Sequence, residues 1–409
     1  MGGEWRTTTL GELVGLQRGH DLTNGDRHPG TVPVMGSAGQ NGFHNRALAS
    51  GPGVVIGRSG ASFGRVHFIA EDYWPHNTAL YVTDFRGNLP RFIYYLLKGC
   101  PFAAYNSGSA QASLNRNYIG AIELRVPGFA EQRAIAHILG TLDDKIELNQ
   151  RMNETLEAMA RALFESWFVD FDPVRAKAEG RDPGLPKQIA DLFPDSFEDS
   201  ELGEIPEGWK MVPLPEMIDV NPTRSLRKGE VAPYLDMANM PTRGHSPDTV
   251  IERPFGSGMR FVNGDTLVAR ITPCLENGKT AYVDFLKDGQ VGWGSTEYIV
   301  LRPKSPLPNE YAYCLARSVE FRDFAIQSMT GSSGRQRVPA ESLSHFRTVA
   351  APKPIGELFG RLIKPLFART SAATKEGRAL AALRDMLLPK LISGELRPNQ
   401  RERSKEMPL

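Results

Sequence analysis

The sequence predicts an α+β chain: two duplicated α/β domains together with two long helices that form an antiparallel coiled coil. Three observations predict it. Short motifs recur in the same order in both halves. Each half ends in a helix-period stretch of unusual length. The 40 Gly and 30 Pro among 409 residues punctuate many short strands with turns.

The repeat begins with Trp5–Leu13 (WRTTTLGEL), which matches Trp209–Met217 (WKMVPLPEM). The strand-like Val54-Val-Ile-Gly-Arg58 matches Leu267-Val-Ala-Arg270, and Gly64-Arg65-Val66 then matches Gly278-Lys279-Thr280. Asn77-Thr-Ala-Leu-Tyr-Val82 aligns with Ser295-Thr-Glu-Tyr-Ile-Val300, and Tyr94-Tyr-Leu-Leu97 with Tyr311-Ala-Tyr-Cys-Leu315. Both halves then reach a Gly/Ser turn, at 107–111 and at 330–335. A single match is weak; the shared order is not.

The first long helix spans about 131–168. Ile135, Leu139, Leu142, Ile146, Leu156, Leu163 and Trp167 stand at sevens, or at alternating fours and threes once Asn149, Asn153 and Ala160 fill the gaps. That is a heptad seam. At 1.5 Å per residue such a helix is about 55 Å long, more than one domain of its half needs. The second, about 355–394, follows Pro352 and Pro354 and carries Leu358, Leu362, Leu366, Leu380, Leu383, Leu387 and Leu391, with a kink expected at Pro365 and a C-cap at Gly394. The expected division is a first domain over 1–130, the helix 131–168, a Pro/Asp/Gly-rich linker over 169–204, a second domain over 205–354, the helix 355–394 and a disordered tail over 395–409.

Composition excludes several classes. Net charge is +1 from 48 Lys+Arg against 47 Asp+Glu, so the chain is no polycation. Three scattered cysteines, Cys100, Cys274 and Cys314, predict reduced thiols in the cytoplasm rather than a zinc ribbon or disulfides. No run of about 18 apolar residues exists to span a membrane. Gly60-Ala61-Ser62-Phe63-Gly64 matches the nucleophile elbow G-x-S-x-G, but Arg65–Ile69 after it alternates like a strand, so a hairpin turn is expected. Asp143-Asp144-Lys145 falls inside the long helix and reads as a solvated face rather than a nuclease site. No phosphate-binding glycine loop, adenine-methylation motif or metal-ligand histidine spacing occurs. The chain reads as a binder.

What it binds is suggested by the loops. Arg, Lys, Asn, Gln, Ser and Thr supply phosphate contacts and base-edge hydrogen bonds alike. Candidates in the first half are Arg58, Ser59, Gln111, Asn115 and Arg116; in the second, Arg270, Lys279, Arg335, Gln336 and Arg337. The balanced charge argues against a lone tight DNA binder and for a subunit whose partners add phosphate contacts.

Five segments resemble one family, the specificity (S, HsdS) subunits of type I restriction–modification systems: Val126–Ala136 (VPGFAEQRAIA), Leu142–Asn149 (LDDKIELN), Leu163–Phe171 (LFESWFVDF), Leu202–Trp209 (LGEIPEGW) and Leu387–Leu396 (LLPKLISGEL). The second helix departs from the pattern, starting Pro354-Ile-Gly-Glu357 without the Gln-Arg pair. The resemblance implies two target-recognition domains, each reading half of a bipartite asymmetric site in double-stranded DNA. It implies two methyltransferase (M) subunits around the helices, restriction/translocase (R) subunits, no membrane, and no catalysis or cofactor in this chain, with S-adenosylmethionine, ATP and magnesium on the partners. The alternative left open is a stand-alone DNA-binding or coiled-coil scaffold protein.

Overall fold

The computed structural model describes residues 5–108, 112–201, 203–332 and 334–398. The chain divides into two compact units, 1–147 with 378–409, and 148–377. Both long helices are shared between them.

The first unit runs β1 (Arg6–Thr9), α1 (Leu10–Leu13), β2 (Gly15–Arg18), β3 (Val32–Gly36), β4 (Gly39–His44), β5 (Gly53–Gly57), β6 (Val66–Ile69), β7 (Trp74–Pro75) and β8 (Ala79–Asp84). Then come α2 (Pro90–Lys98), α3 (Arg116–Ile119), β9 (Glu123–Val126) and the long α4 (Phe129–Phe168). β1 turns at once into α1 because Thr9 and Glu12 cap each other: the Thr9 hydroxyl accepts from the Glu12 amide at 3.3 Å and the Glu12 carboxylate from the Thr9 amide at 3.1 Å. The main sheet is antiparallel, in the order β2-β8-β5-β6. A second sheet, β4-β3-β7, contains one parallel pair, β3 with β7. β5 is buried throughout, which explains its unbroken apolar reading; α2 packs on it with Phe92, Ile93 and Leu96.

The second unit opens with α5 (Asp172–Ala178), α6 (Lys187–Ala190) and the hairpin β10 (Phe197–Ser200) and β11 (Gly203–Pro206). It continues with β12 (Lys210–Pro213), α7 (Leu214–Met217), β13 (Ile218–Val220), β14 (Val231–Leu235), β15 (Ile251–Pro254), β16 (Met259–Phe261), β17 (Thr266–Ala269), β18 (Thr280–Tyr282), β19 (Gly292–Gly294) and β20 (Tyr298–Pro303). α8 (Glu310–Arg317), α9 (Val319–Gln327), β21 (Arg347–Ala350) and α10 (Lys353–Ser393) complete it. Its main sheet, β13-β20-β17-β18, repeats the order of the first unit's, and β12 pairs with β21 as β1 does with β9. The second sheet, β15-β14-β19-β16, again contains one parallel pair, β14 with β19. The duplication read from short motifs is thus a duplication of topology.

Register corrects one of those motifs. Gly57 pairs with Ala79 while Ala269 pairs with Tyr298, so Ala79 corresponds to Tyr298 rather than to Glu297. The alignment of Asn77–Val82 with Ser295–Val300 was one residue out of step. In a strand that error exchanges the two faces.

α4 and α10 run antiparallel within each unit. In the first, Asp143 of α4 meets Arg384 of α10; in the second, Asn149 meets Glu376 and Asn153 meets Thr374. The ten seam positions of α4 are all buried or half-buried. α10 departs from its expected seam at two of seven positions: Leu362 and Leu383 are 38% and 39% exposed, Leu358, Leu366, Leu380, Leu387 and Leu391 are buried or half-buried, and Ile355, Phe359, Ile363, Phe367, Thr370 and Ala373 join the buried stripe. The sequence offers leucines on two faces, and the aromatic core of the second unit decides between them. Phe359 lies 5.0–6.3 Å, ring to ring, from Phe164, Trp167, Phe168 and Tyr311, and burying a side chain of that size contributes about 1.5–3 kcal/mol. α10 also continues as one helix through Pro365. That residue is on the exposed face, where solvent can donate to the Arg361 carbonyl that the missing N–H leaves unpaired.

Candidate nucleic-acid interface

The candidate residues of the first unit sit where three loops meet. Arg58 follows β5 directly. Its amide donates to the Thr78 carbonyl at 2.9 Å, and its own carbonyl accepts from the Leu114 amide at 2.8 Å. The strand end is thereby clamped between the loop before β8 and the loop before α3. Ser59 forms a bridge with Ser113 and its carbonyl accepts from the Ser37 hydroxyl at 2.8 Å; its role is to hold the loops together. The Arg58 side chain donates through Nε to the Asn77 carbonyl at 3.1 Å and lines the cleft described below. Asn115 caps α3, its Oδ1 accepting from the Asn117 amide at 3.0 Å, and the exposed Arg116 follows it. Gln111 lies outside the described residues.

Arg58, Asn115 and Arg116 line one open cleft of about 620 Å³ together with Gln17, Arg18, His20 and Asp21. Burial, and then the neighbouring Arg18, push the Arg58 guanidinium below its usual pKa range. Asp21 acts in the opposite direction, as a counter-charge 3.7 Å from Arg18. Arg18, His20 and Asp21 went unnoticed in the sequence because they stand at and just after the end of β2, far along the chain from the repeated loops.

The second unit repeats this frame. The Arg270 amide donates to the Glu297 carbonyl at 3.0 Å, and the Arg270 carbonyl accepts from the Val338 amide at 2.9 Å. The side chains differ from expectation. Lys279 turns inward, its ammonium donating to the carbonyls of Met237 and Ala238, and it therefore braces the 237–238 loop. Arg337 is a brace as well: Nε donates to the Glu297 carboxylate at 2.8 Å, and its backbone exchanges two hydrogen bonds with Thr330 at 2.9 Å. Arg335 is exposed and Gln336 half-exposed at the loop tip. In this unit the outward-facing candidates are Arg335 and Gln336, with Arg270 at the base of the frame.

The G-x-S-x-G segment is the turn of the β5–β6 hairpin, as its alternation predicted. Of the two aspartates expected on a solvated face, Asp144 is exposed and Asp143 is not. Asp143 accepts from the Tyr95 hydroxyl and from Arg384, both at 2.6 Å, and Asp144 accepts from Arg91. No group of three or more His, Cys, Asp or Glu is arranged to hold a metal among the described residues, and no helix among them is long and apolar enough to cross a membrane. The three cysteines are free thiols; burial raises the pKa of Cys100 to about 12 and of Cys314 further, so both are protonated and unreactive at neutral pH.

Residues 2–158 match the model of the type I restriction modification DNA specificity domain. The solved S subunit from M. genitalium superposes over 97% of both chains with a TM-score of 0.60 at 15% identity, a likeness of fold. Over the sequence, the specificity subunit of the type I restriction enzyme HindI of Haemophilus influenzae is 24% identical across 375 residues, 75% of this chain and 78% of that one. The MjaIX specificity subunit of Methanocaldococcus jannaschii is 26% identical across 332 residues, 76% and 70% of the two chains. The chain is a type I restriction–modification specificity subunit.

As a specificity subunit it belongs to the DNA-recognition side of such a system and is not the catalytic component. The segments that carried the family resemblance do structural work on the helices. Buried Gln132 accepts from the Leu89 amide at 3.1 Å and donates to Asn88 Oδ1 at 2.9 Å and the Pro127 carbonyl at 3.1 Å. It ties the start of α4 to the corner before α2. Glu131 accepts from the Trp5 indole at 3.3 Å. The specificity subunit's second unit lacks this amide because α10 docks by close approach. Gly356 and Gly360 face Leu307 and Pro308, and a Cβ at either would stand 3.2–3.3 Å from them.

Proposed function

We propose that each unit of this specificity subunit reads one half of a bipartite, asymmetric site in double-stranded DNA. The observation that carries the reading is the frame found twice: an arginine at the end of the third main-sheet strand, clamped by two loops whose tips present Asn115 and Arg116 in one unit and Arg335 and Gln336 in the other. Sheets hold the frame rigid and loops vary the side chains, the division of labour a reader of sequence requires.

In this reading the subunit acts on DNA in a complex with other subunits, in the cytoplasm. Two methyltransferase (M) subunits dock on the helices and restriction/translocase (R) subunits join them. S-adenosylmethionine, ATP and magnesium then belong to those partners. Base-edge donors from Arg58, Arg116, Asn115, Arg335 and Gln336 supply specificity, and the partners add the phosphate contacts that a chain of net charge +1 lacks. The test is the methylated motif of cells carrying the assembled complex. Arg58→Ala is expected to relax bases in one half-site only, and Arg335→Ala in the other only. Relaxation of the same half-site by both variants, or of neither, refutes the assignment.

A further inference from the structure

The cleft of the first unit contains one feature that phosphate binding does not explain. Among Arg18, Arg58 and Arg116 in the cleft lining stands a carboxylate, Asp21. Its side chain is largely exposed and lies 3.7 Å from Arg18. One oxygen, Oδ1, accepts from the Asn77 amide. Asn77 is also the residue whose carbonyl holds Arg58 Nε. One residue thus fixes both charged groups, the guanidinium through its main chain and the carboxylate through its side chain.

A carboxylate weakens a cleft meant for phosphates, because it repels them. It strengthens one meant for bases. In the major groove a cytosine amino group donates to Asp or Glu, and guanine O6 and N7 accept from a bidentate Arg. Those three groups lie side by side on one G·C pair. Arg58 lines the same cleft as Asp21 and its Nε is held by the Asn77 carbonyl, so a bidentate contact to a guanine would use its two terminal nitrogens.

We propose that Arg58 and Asp21 together read a single G·C base pair through the major groove, with the guanidinium on the guanine O6 and N7 edge and the carboxylate on the cytosine amino group. This rests on the reading of the cleft as a DNA-facing surface. It assigns one base pair of the first unit's half-site and gives Asp21 a role as a specificity-determining residue.

The experiment is methylome sequencing of cells carrying the assembled complex as wild type, Asp21→Ala, Arg58→Ala and Arg18→Ala. The wild-type motif must contain a G·C pair in the half-site that Arg58→Ala relaxes. Asp21→Ala is expected to relax that same pair and no other, with discrimination falling roughly 5- to 140-fold, the ratio equivalent to about 1–3 kcal/mol. Arg18→Ala removes the ion-pair partner of Asp21, and it is expected to weaken methylation at all sites evenly without changing the motif. Three results overturn the proposal: a relaxed position that is A·T, an unchanged motif in Asp21→Ala, or a relaxation in Arg18→Ala identical to that in Asp21→Ala, which would make Asp21 a brace. If Arg58→Ala leaves the motif unchanged, the cleft does not face bases and the underlying reading fails instead.

Discussion

Asp143 and Asp144 are neighbours on α4 with the same side chain, and the structure gives them very different weights. The carboxylate of Asp143 is 19% exposed and both its oxygens are engaged, one by the Tyr95 hydroxyl on α2 and one by Arg384 on α10, each at 2.6 Å. It joins the recognition domain, its own helix and the partner helix within the first unit. Asp144 is 60% exposed and pairs with Arg91 alone. Hydrogen bonds to charged groups contribute about 1.5–3 kcal/mol each. Taking the lower end for two partly hydrated contacts, Asp143→Ala costs about 3 kcal/mol. The exposed pair is worth about 0.2–1 kcal/mol, so Asp144→Ala stays below 1. In a unit of this size, in the class of roughly 150–250 residues, each kcal/mol lowers the melting temperature by about 2–4 °C. Calorimetry of the full chain is therefore expected to show the first unit's transition falling by about 6–12 °C in Asp143→Ala and by less than about 4 °C in Asp144→Ala. A cycle with Tyr95→Phe should recover a coupling of about 0.5–3 kcal/mol. Equal shifts for the two aspartates refute the reasoning, because burial and the count of partners would then not set the cost.

Three further outcomes follow. Tyr313→Phe removes the hydroxyl that donates to buried Glu157 at 2.7 Å and is expected to destabilise the second unit by about 1–3 kcal/mol in thermal unfolding; a change below about 0.5 kcal/mol would mean that Glu157 has other support. Gly57→Ala places a Cβ 2.2 Å from the Ser62 carbonyl and is expected to lower the urea midpoint clearly, whereas Ala269→Gly at the corresponding position of the second unit costs about 0.5–1 kcal/mol; an unchanged midpoint in Gly57→Ala would show that the turn after Ser62 yields to the added Cβ. Matched four-residue insertions, between Leu148 and Leu156 of α4 and between Ala373 and Leu380 of α10, add about one turn, roughly 6 Å, and at ~3.4 Å per base pair should lengthen the unspecified spacer of the methylated motif by about one or two pairs with both half-sites kept. An unchanged spacer in an active complex would show that helix length does not set it.

The elements most legible in the sequence were those fixed by local pattern. The buried strand Val54-Val-Ile56, the heptad positions of α4 and the glycine turn at 60–64 each carry their signal within a few residues. What escaped was set by contacts across the chain. Which of α10's two leucine faces is buried depends on the aromatic cluster around Phe359, and no spacing rule sees that cluster. Lys279 and Arg337 looked like outward-facing cations because a basic side chain in a polar loop usually is one. Their partners, the carbonyls of Met237 and Ala238 and the carboxylate of Glu297, lie 40 to 42 residues away. Asp21 was missed for the same reason, being brought to the cleft only by the pairing of β2 with β8.

The polar residues of the helix seam carry the last step of the argument. Asn149 is 2% exposed and donates to Glu376 at 2.9 Å and to the Ala373 carbonyl at 3.4 Å. Asn153 donates to Thr374 at 3.0 Å. The Oδ1 atoms of both asparagines are buried without a protein partner, which costs stability that leucine at the same positions would not. A seam built only for strength would not contain them. Around Asn149 and Asn153, away from the aromatic cluster at Phe359, leucines would specify the pairing less sharply, because apolar contacts are not directional. Two amides that meet specific acceptors in one register penalise every other. The trade is a helix pair whose register in the second unit is fixed by directional contacts. Asn149→Leu combined with Asn153→Leu is accordingly expected to raise the melting temperature of the second unit while broadening the spacer lengths methylated by the complex. Higher stability with an unchanged single spacer would show that the asparagines do not set register.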